Sequence, residues 1–467
     1  FGDKIDPKEL AEKLLRFGYE AVDIVESEGE FCVRGEIIDI FTAQSHSCVL
    51  TKSSTGRRIY CWGDNRSGQL GNSDFGGSYS PVPIEIKVVG ASAISDFSGD
   101  KISAIGGTGD TSCAIASGKV YCWGGNDWGQ LGYGSSGSPG YSAVPTMINS
   151  GGPNRIPNNY SATKLSTGGS RSRTMCVITT EKRAYCWGQA RFGQLGVGPV
   201  AGDKYSLATR VKGLEDVTDI SQDGYWWTKD PNYVTHTCAI ANAGKVYCWG
   251  GAGLGQSGSP GSGNPKKHIE PKEVHGLPGV ALQVEVGIAH SCALMNVGGT
   301  KRVYCWGSNE DGGLGNGSAS VSPVPVAVNT TGVLAGKTIK QILSGHYRTC
   351  AITSDDKMYC WGNNMGGALG NGSTANSHVP VSVNMSGVLA GKIIRRISIG
   401  AFHTCVDATD NKIYCWGSNN YGQLGNNSTT NTSTPTATYV FKKEDIPANA
   451  MKIRAQYAKK TAATCQA

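Results

Sequence analysis

The tetrapeptide Tyr-Cys-Trp-Gly occurs seven times in this chain, with its cysteines at Cys61, Cys122, Cys186, Cys248, Cys305, Cys360 and Cys415. Successive copies lie 61, 64, 62, 57, 55 and 55 residues apart. Six residues after each Trp stands a Gly: Gly68, Gly129, Gly193, Gly255, Gly312, Gly367 and Gly422. Most continue as Gln-Leu-Gly; the fourth departs, with Ser257 where Leu usually sits. A motif in phase at seven places means seven copies of one structural unit, and the chain must bury those units against one another. Glycine makes up 66 of 467 residues, which disfavours helices and supplies turns of positive φ.

Each unit reads as several short strands. In the last copy Ile413 and Cys415 point one way and Tyr414 and Trp416 the other, the period of a strand. About ten residues earlier another strand ends in a cysteine, as in His403-Thr404-Cys405-Val406, and Thr409-Asp410-Asn411 between them suits a hairpin turn. One such sheet cannot cover both its faces. Sheets set radially cover each other, so the expected fold is all-β, a seven-bladed β-propeller of four-stranded antiparallel blades. The pattern resembles the regulator of chromosome condensation repeat family over about residues 36–440. A WD-type propeller has shorter repeats that end in Trp-Asp.

Each unit carries two cysteines, one per hairpin strand: Cys48 with Cys61, Cys113 with Cys122, Cys176 with Cys186, Cys238 with Cys248, Cys292 with Cys305, Cys350 with Cys360, and Cys405 with Cys415. Directly opposed antiparallel positions fall within disulfide reach. Seven such bridges imply an oxidising compartment; the alternative is buried thiols used as small core residues. Metal binding is disfavoured, because no Cys-x-x-Cys exists and cysteines of different blades lie far apart in any propeller. Cys32 and Cys465 remain, and a closure bond between them would fasten the ring. Against it, Cys32 precedes Cys48 by only sixteen residues, too few for another blade.

Residues 1–35 form a separate α+β extension in this reading. Asp6-Pro7-Lys8-Glu9 is a capping box, Leu10, Leu14 and Leu15 mark an apolar helix face, and Gly18 can end the helix. The first 42 residues carry a net charge of −6, against +7 for the whole chain. The run from Gly2-Asp3-Lys4-Ile5-Asp6 to Val33-Arg34-Gly35-Glu36-Ile37-Ile38-Asp39-Ile40-Phe41 is similar to part of the transcription-repair coupling factor. Ile37 and Ile40 precede Cys48 by the same distances as Ile394 and Ile397 precede Cys405. The strand Glu36–Phe41 is therefore in register to be the first strand of blade one. Residues 441–467 are expected either to close the ring or to start a further module. Phe at position 1 favours processing or truncation, and no apolar run long enough to span a membrane is present.

Propellers bind through loops on one face while the blades serve as scaffold. Two loops are long: Gly132 to Tyr160, and Ser221 to Thr235, which holds Tyr225, Trp226, Trp227, Lys229 and Tyr233. Clustered rigid aromatics suit protein or glycan contact; otherwise the tryptophans fold back onto a blade. His46, His236, His290 and His403 each stand two residues before a first cysteine. A repeated structural hydrogen bond explains them better than a metal ring or a pH switch. No catalytic triad, phosphate loop or cofactor motif appears, and the basic residues form no run that would favour nucleic acid. The expected role is a non-enzymatic, secreted or cell-surface binding or adhesion module, bacterial, with a surface protein or glycan as partner. The resemblance offers the alternative of a guanine-nucleotide exchange factor or chromatin binder. A surface-filament subunit is a further reading, and a repair role through residues 1–42 would need the rest of that module.

Overall fold

The computed structural model describes residues 36–74, 79–134, 140–149, 155–166, 168, 172–199, 202–224, 235–258 and 267–438. Its strands form seven four-stranded antiparallel sheets, each built from four strands consecutive in sequence. Numbered β1 to β28 in chain order, the first strands of the blades are β1 (Glu36–Thr42), β5 (Ile102–Thr108), β9 (Ala162–Leu165), β13 (Asp219–Asp223), β17 (Val280–Val286), β21 (Ile339–Gly345) and β25 (Ile394–Ile399). These strands touch their neighbours in a closed circle, β25 against β1 included and β9 meeting β13 through the Lys164–Asp219 ion pair, so they line the axis. The fourth strand of each blade is outermost. Six of the seven outer strands contain proline, among them Pro81, Pro145, Pro271, Pro323, Pro380 and Pro435, which denies an edge partner its full ladder.

The tetrapeptide lies on the third strand, where its Trp side chain is buried in every blade. Each indole N–H donates to a backbone carbonyl of the preceding blade: Trp123 to Gln69 (3.0 Å), Trp187 to Gln130 (2.8 Å), Trp249 to Gln194 (2.8 Å), Trp306 to Gln256 (2.9 Å), Trp361 to Gly313 (3.0 Å), Trp416 to Ala368 (3.0 Å), and Trp62 to Gln423 (2.9 Å), which closes the circle. A buried indole needs such a partner. The turn supplying the carbonyl must therefore lie flat on the ring. At Gly71 (φ 68°) a Cβ would stand 2.7 Å from Trp123 Nε1, and at Gly370 (φ 70°) 2.5 Å from Trp416 Nε1, so glycine is required both for space and for backbone sign.

The two cysteines of each unit face each other across the second and third strands, as in Cys48↔Cys61 and Cys405↔Cys415. All seven pairs are bonded, with Cα separations of 4.0–4.1 Å, and all fourteen are fully buried. Cys32 and Cys465 lie outside the described residues, as does the N-terminal helix expected from the capping box.

Candidate binding face and channel

The strand directions give the ring two unlike ends. One end carries the hairpin turns between second and third strands. The other carries the loops from first to second strand together with the flat Gly-x-x-Gly turns. Tyr225, Trp226, Trp227, Lys229 and Tyr233 fall in sequence between β13 and β14 (His236–Ala241). Those five residues themselves lie outside the described residues. The second end presents paired cations and aromatics. Arg66 lies over the Tyr421 ring at 4.7 Å while Asp64 holds its guanidinium at 2.7 Å. Arg173 reaches Asp127 at 3.1 Å and Asp110 at 3.7 Å. His346 packs against Phe402 (4.4 Å) and Tyr347 (4.7 Å), and Met365 is 58% exposed.

The four histidines form inter-blade bonds. His46 Nε2 meets Ser112 Oγ at 2.8 Å, His236 Nε2 meets Ser291 Oγ at 2.7 Å, His290 Nε2 meets Thr349 Oγ1 at 2.9 Å, and His403 Nε2 meets Ser47 Oγ at 2.8 Å. Each hydroxyl donates in turn to the carbonyl that its blade's Trp also uses, as Ser112 does to Gln69 O (2.9 Å). The hydroxyl's proton is thus spent, so Nε2–H is the donor to it. Burial pulls His46 and His290 down to about 4 and His403 to about 3, which keeps these rings neutral. Where blade 2 has Thr111 in place of histidine, blade 3 has Met175 in place of the hydroxyl; the two partners are missing together. In blade 6 Arg348 takes the position and donates to Ala401 O (2.7 Å), Gly400 O (2.9 Å) and His403 O (2.6 Å). Burial lowers this guanidinium to about 9.

The inner strands leave one edge of every sheet facing the axis, and an unpaired edge is costly. Side chains from the preceding blade cover much of it. Asp39 accepts from Ile105 N (3.1 Å), Asp219 from Val284 N (3.0 Å), Gln283 from Ile342 N (3.0 Å), Ser221 from Val286 N (3.1 Å), and Ser398 from Thr42 N (2.8 Å). Arg396 donates to Ile37 O (2.7 Å). Asp39, Lys164, Asp219, Gln283 and Arg396 occupy one register position, opposite Leu50, Ile178, Ile240, Leu294 and Asp407. Beside them, burial and the neighbouring Asp219 charge push Glu285 up to about 8, and burial lifts Asp39 to about 6. Nothing in the repeat motif signals this polar ring, because its side chains vary from blade to blade. Among the described residues no group of three or more His, Cys, Asp or Glu could hold a metal ion.

The regulator of chromosome condensation (RCC1) repeat profile matches residues 58–113, 117–171, 302–352, 355–406 and 410–446, and a second profile for the same repeat matches 339–366 and 394–423. The UvrB interaction domain profile matches residues 1–65. The chain is 28% identical over 376 residues to the E3 ubiquitin-protein ligase HERC2 of Homo sapiens, covering 79% of this chain but only 7% of that protein. It is 26% identical to the ultraviolet-B receptor UVR8 of Arabidopsis thaliana, over 84% of this chain and 79% of the receptor. Human WBSCR16 shares the fold at a TM-score of 0.65 and 20% identity, covering 82% of this chain and 93% of that one. Prp20p of Saccharomyces cerevisiae does so at 0.64 and 16%, covering 89% of each.

Proposed function

Because the chain belongs to the RCC1 repeat family, we propose that it is a non-catalytic binding propeller, held rigid by its disulfides and working outside the reducing cytosol, at a bacterial cell surface or in the medium. The observation that carries this reading is the bonded cysteine pair in each of the seven blades. Thiols serving only as small core residues need no cross-strand partner, whereas every cysteine among the described residues has one. Stable bridges of this number belong to oxidising compartments. The partner is a surface protein or glycan, met by the loop end that presents Arg66, Tyr421, Arg173 and Phe402, with Tyr225, Trp226, Trp227, Lys229 and Tyr233 proposed as further contact residues. Adhesion within a surface assembly is the same reading with a second copy or a filament as partner.

Surface labelling and fractionation of cells that make the protein test this directly. The expected result is recovery of oxidised chain from the surface or the medium, with binding to cell-surface material that weakens when Trp226 and Trp227 are replaced by Ala. Recovery from the cytosol or nucleus with reduced thiols contradicts it. That outcome would favour a role like that of Prp20p, whose binding to Gsp1p and histones is on record.

A further inference from the structure

The connection from blade 1 to blade 2 differs from its counterparts. After blades 5 and 6 the chain turns through Gly-Val-Leu-Ala-Gly-Lys, and Leu334 and Leu389 plug the seam, each nearly fully buried. Between β4 (Tyr79–Glu85) and β5 it forms instead the six-residue helix α1 (Ala91–Asp96), with Ile94 56% and Val89 45% exposed. Beside it, on the hairpin end, lies a groove of about 400 Å³. Arg57, Arg58, Ile86, Val88, Ile94 and Phe97 line it. Arg57 spends one Nη on Ile102 O (2.5 Å), and its buried Nε has no partner among the described residues. Lys87 and Lys101, adjoining these lining residues in sequence, are exposed. Glu85 is ion-paired with Arg58 (2.5 Å) and Asp100 with Lys52 (2.7 Å), so the cations Arg57, Lys87 and Lys101 stand in excess around an apolar floor.

The chain joins the propeller at the same place. Glu36 pairs with Lys52 across β1 and β2 (His46–Ser53), and Lys52 pairs with Arg57 across β2 and β3 (Gly56–Asp64). Two strand spacings, about 10 Å, therefore separate Glu36 from the groove. The residues leading to it are acidic and apolar in alternation: Tyr19-Glu20-Ala21-Val22-Asp23-Ile24-Val25-Glu26-Ser27-Glu28-Gly29-Glu30-Phe31. No Lys or Arg interrupts that run. Glu30 stands six residues before Glu36, so an extended path of roughly 20 Å is available.

We propose that the groove between blades 1 and 2 is the docking surface of the chain's own segment Tyr19–Phe31, whose carboxylates meet Arg57, Arg58, Lys87 and Lys101 while its apolar residues cover Ile94. Complementary charge sets which segment docks, and the apolar floor supplies the burial.

The test is zero-length carbodiimide cross-linking of the intact chain at two protein concentrations, with peptide mapping and amide exchange of residues 86–102. The expected result is cross-links from Lys87 or Lys101 to Glu20–Glu30, equal in yield at both concentrations. In the full chain carrying Glu26→Lys, Glu28→Lys and Glu30→Lys they should vanish, and exchange over α1 should quicken about tenfold. These substitutions precede β1 in sequence, and unchanged exchange of blade 7 would verify that the disulfide-bonded core is intact. Absence of the cross-links with unaltered exchange overturns the proposal. Cross-links that grow with concentration overturn it in favour of a second copy as occupant.

Discussion

Blades 1 and 7 meet at the seam that closes the ring, yet their inner strands match different family profiles. β25 falls within a stretch matched by the repeat profile, while β1 falls within the stretch matched by the UvrB interaction domain profile and outside the repeat matches. The two strands nonetheless do the same work. Ile37 and Ile40 are buried like Ile394 and Ile397. Both strands carry a register shift at the same place, Ile37/Asp39 in one and Ile394/Arg396 in the other. Each puts a charged residue after that bulge to satisfy a neighbour's open edge. The comparison teaches that closure asks for a small set of physical properties: two apolar residues three apart, a bulge, and a polar side chain at the inner edge. A segment that matches another family profile but has them can serve as a blade strand.

If the two blades are equivalent, equal damage should follow equal substitutions. Trp62→Ala opens the closing seam and Trp416→Ala the seam before it; each should cost about 3–5 kcal/mol in denaturant unfolding, from the lost ring and an orphaned carbonyl. A much smaller loss for Trp62 would show blade 1 to be loosely attached. Replacing Cys48 and Cys61 together by Ala should cost roughly 3 kcal/mol, and replacing Cys405 and Cys415 nearly the same, because the loops closed are of similar length. Calorimetry of the two double variants checks this, and a markedly unequal pair of melting temperatures would break the equivalence.

The smallest effect separates blade 1 from the blade 4–5 seam. Raised acids hold their proton more tightly in the fold, so their stabilisation is complete below the unfolded value and is lost as pH rises through the folded one. For Asp39 that loss ends near pH 6, and for Glu285 near pH 8. The histidines act oppositely: their lowered values make stability complete above about 6.5 and diminish it as pH falls toward 4. Between pH 6.5 and 8 Glu285 is thus the group among these that titrates. Stability should decline across that interval by about 1 kcal/mol per pH unit, and Glu285→Gln should flatten the decline. An unchanged slope in the variant would remove Glu285 as its source.

Much of this was legible in the chain itself. The Trp, the Gly six residues on, and the paired cysteines recur because every blade meets the same neighbour in the same way. The histidines read as scaffold, and each makes the inter-blade bond that such a reading requires. The polar ring at the axis was not legible, because an open N–H can be met by Asp, Gln or Ser alike and leaves no fixed letter in the repeat. Arg348 was hidden for a similar reason: it replaces a histidine and reaches three carbonyls besides the Thr404 hydroxyl. The groove beside α1 arises from a connection that departs from the repeat, so only its three-dimensional setting shows that Ile94 is left uncovered. The aromatic segment Tyr225–Tyr233 was picked out by composition and lies outside the described residues.

The rigid, disulfide-bonded ring is the premise of the whole account, and alkylation of the denatured, unreduced chain tests it most directly. Protein isolated from its native source with thiols trapped at lysis would be mapped by peptide mass. The expected result is fourteen unlabelled cysteines joined as Cys48–Cys61, Cys113–Cys122, Cys176–Cys186, Cys238–Cys248, Cys292–Cys305, Cys350–Cys360 and Cys405–Cys415. Label on all of them before reduction would contradict both the bridges and the extracellular role built on them.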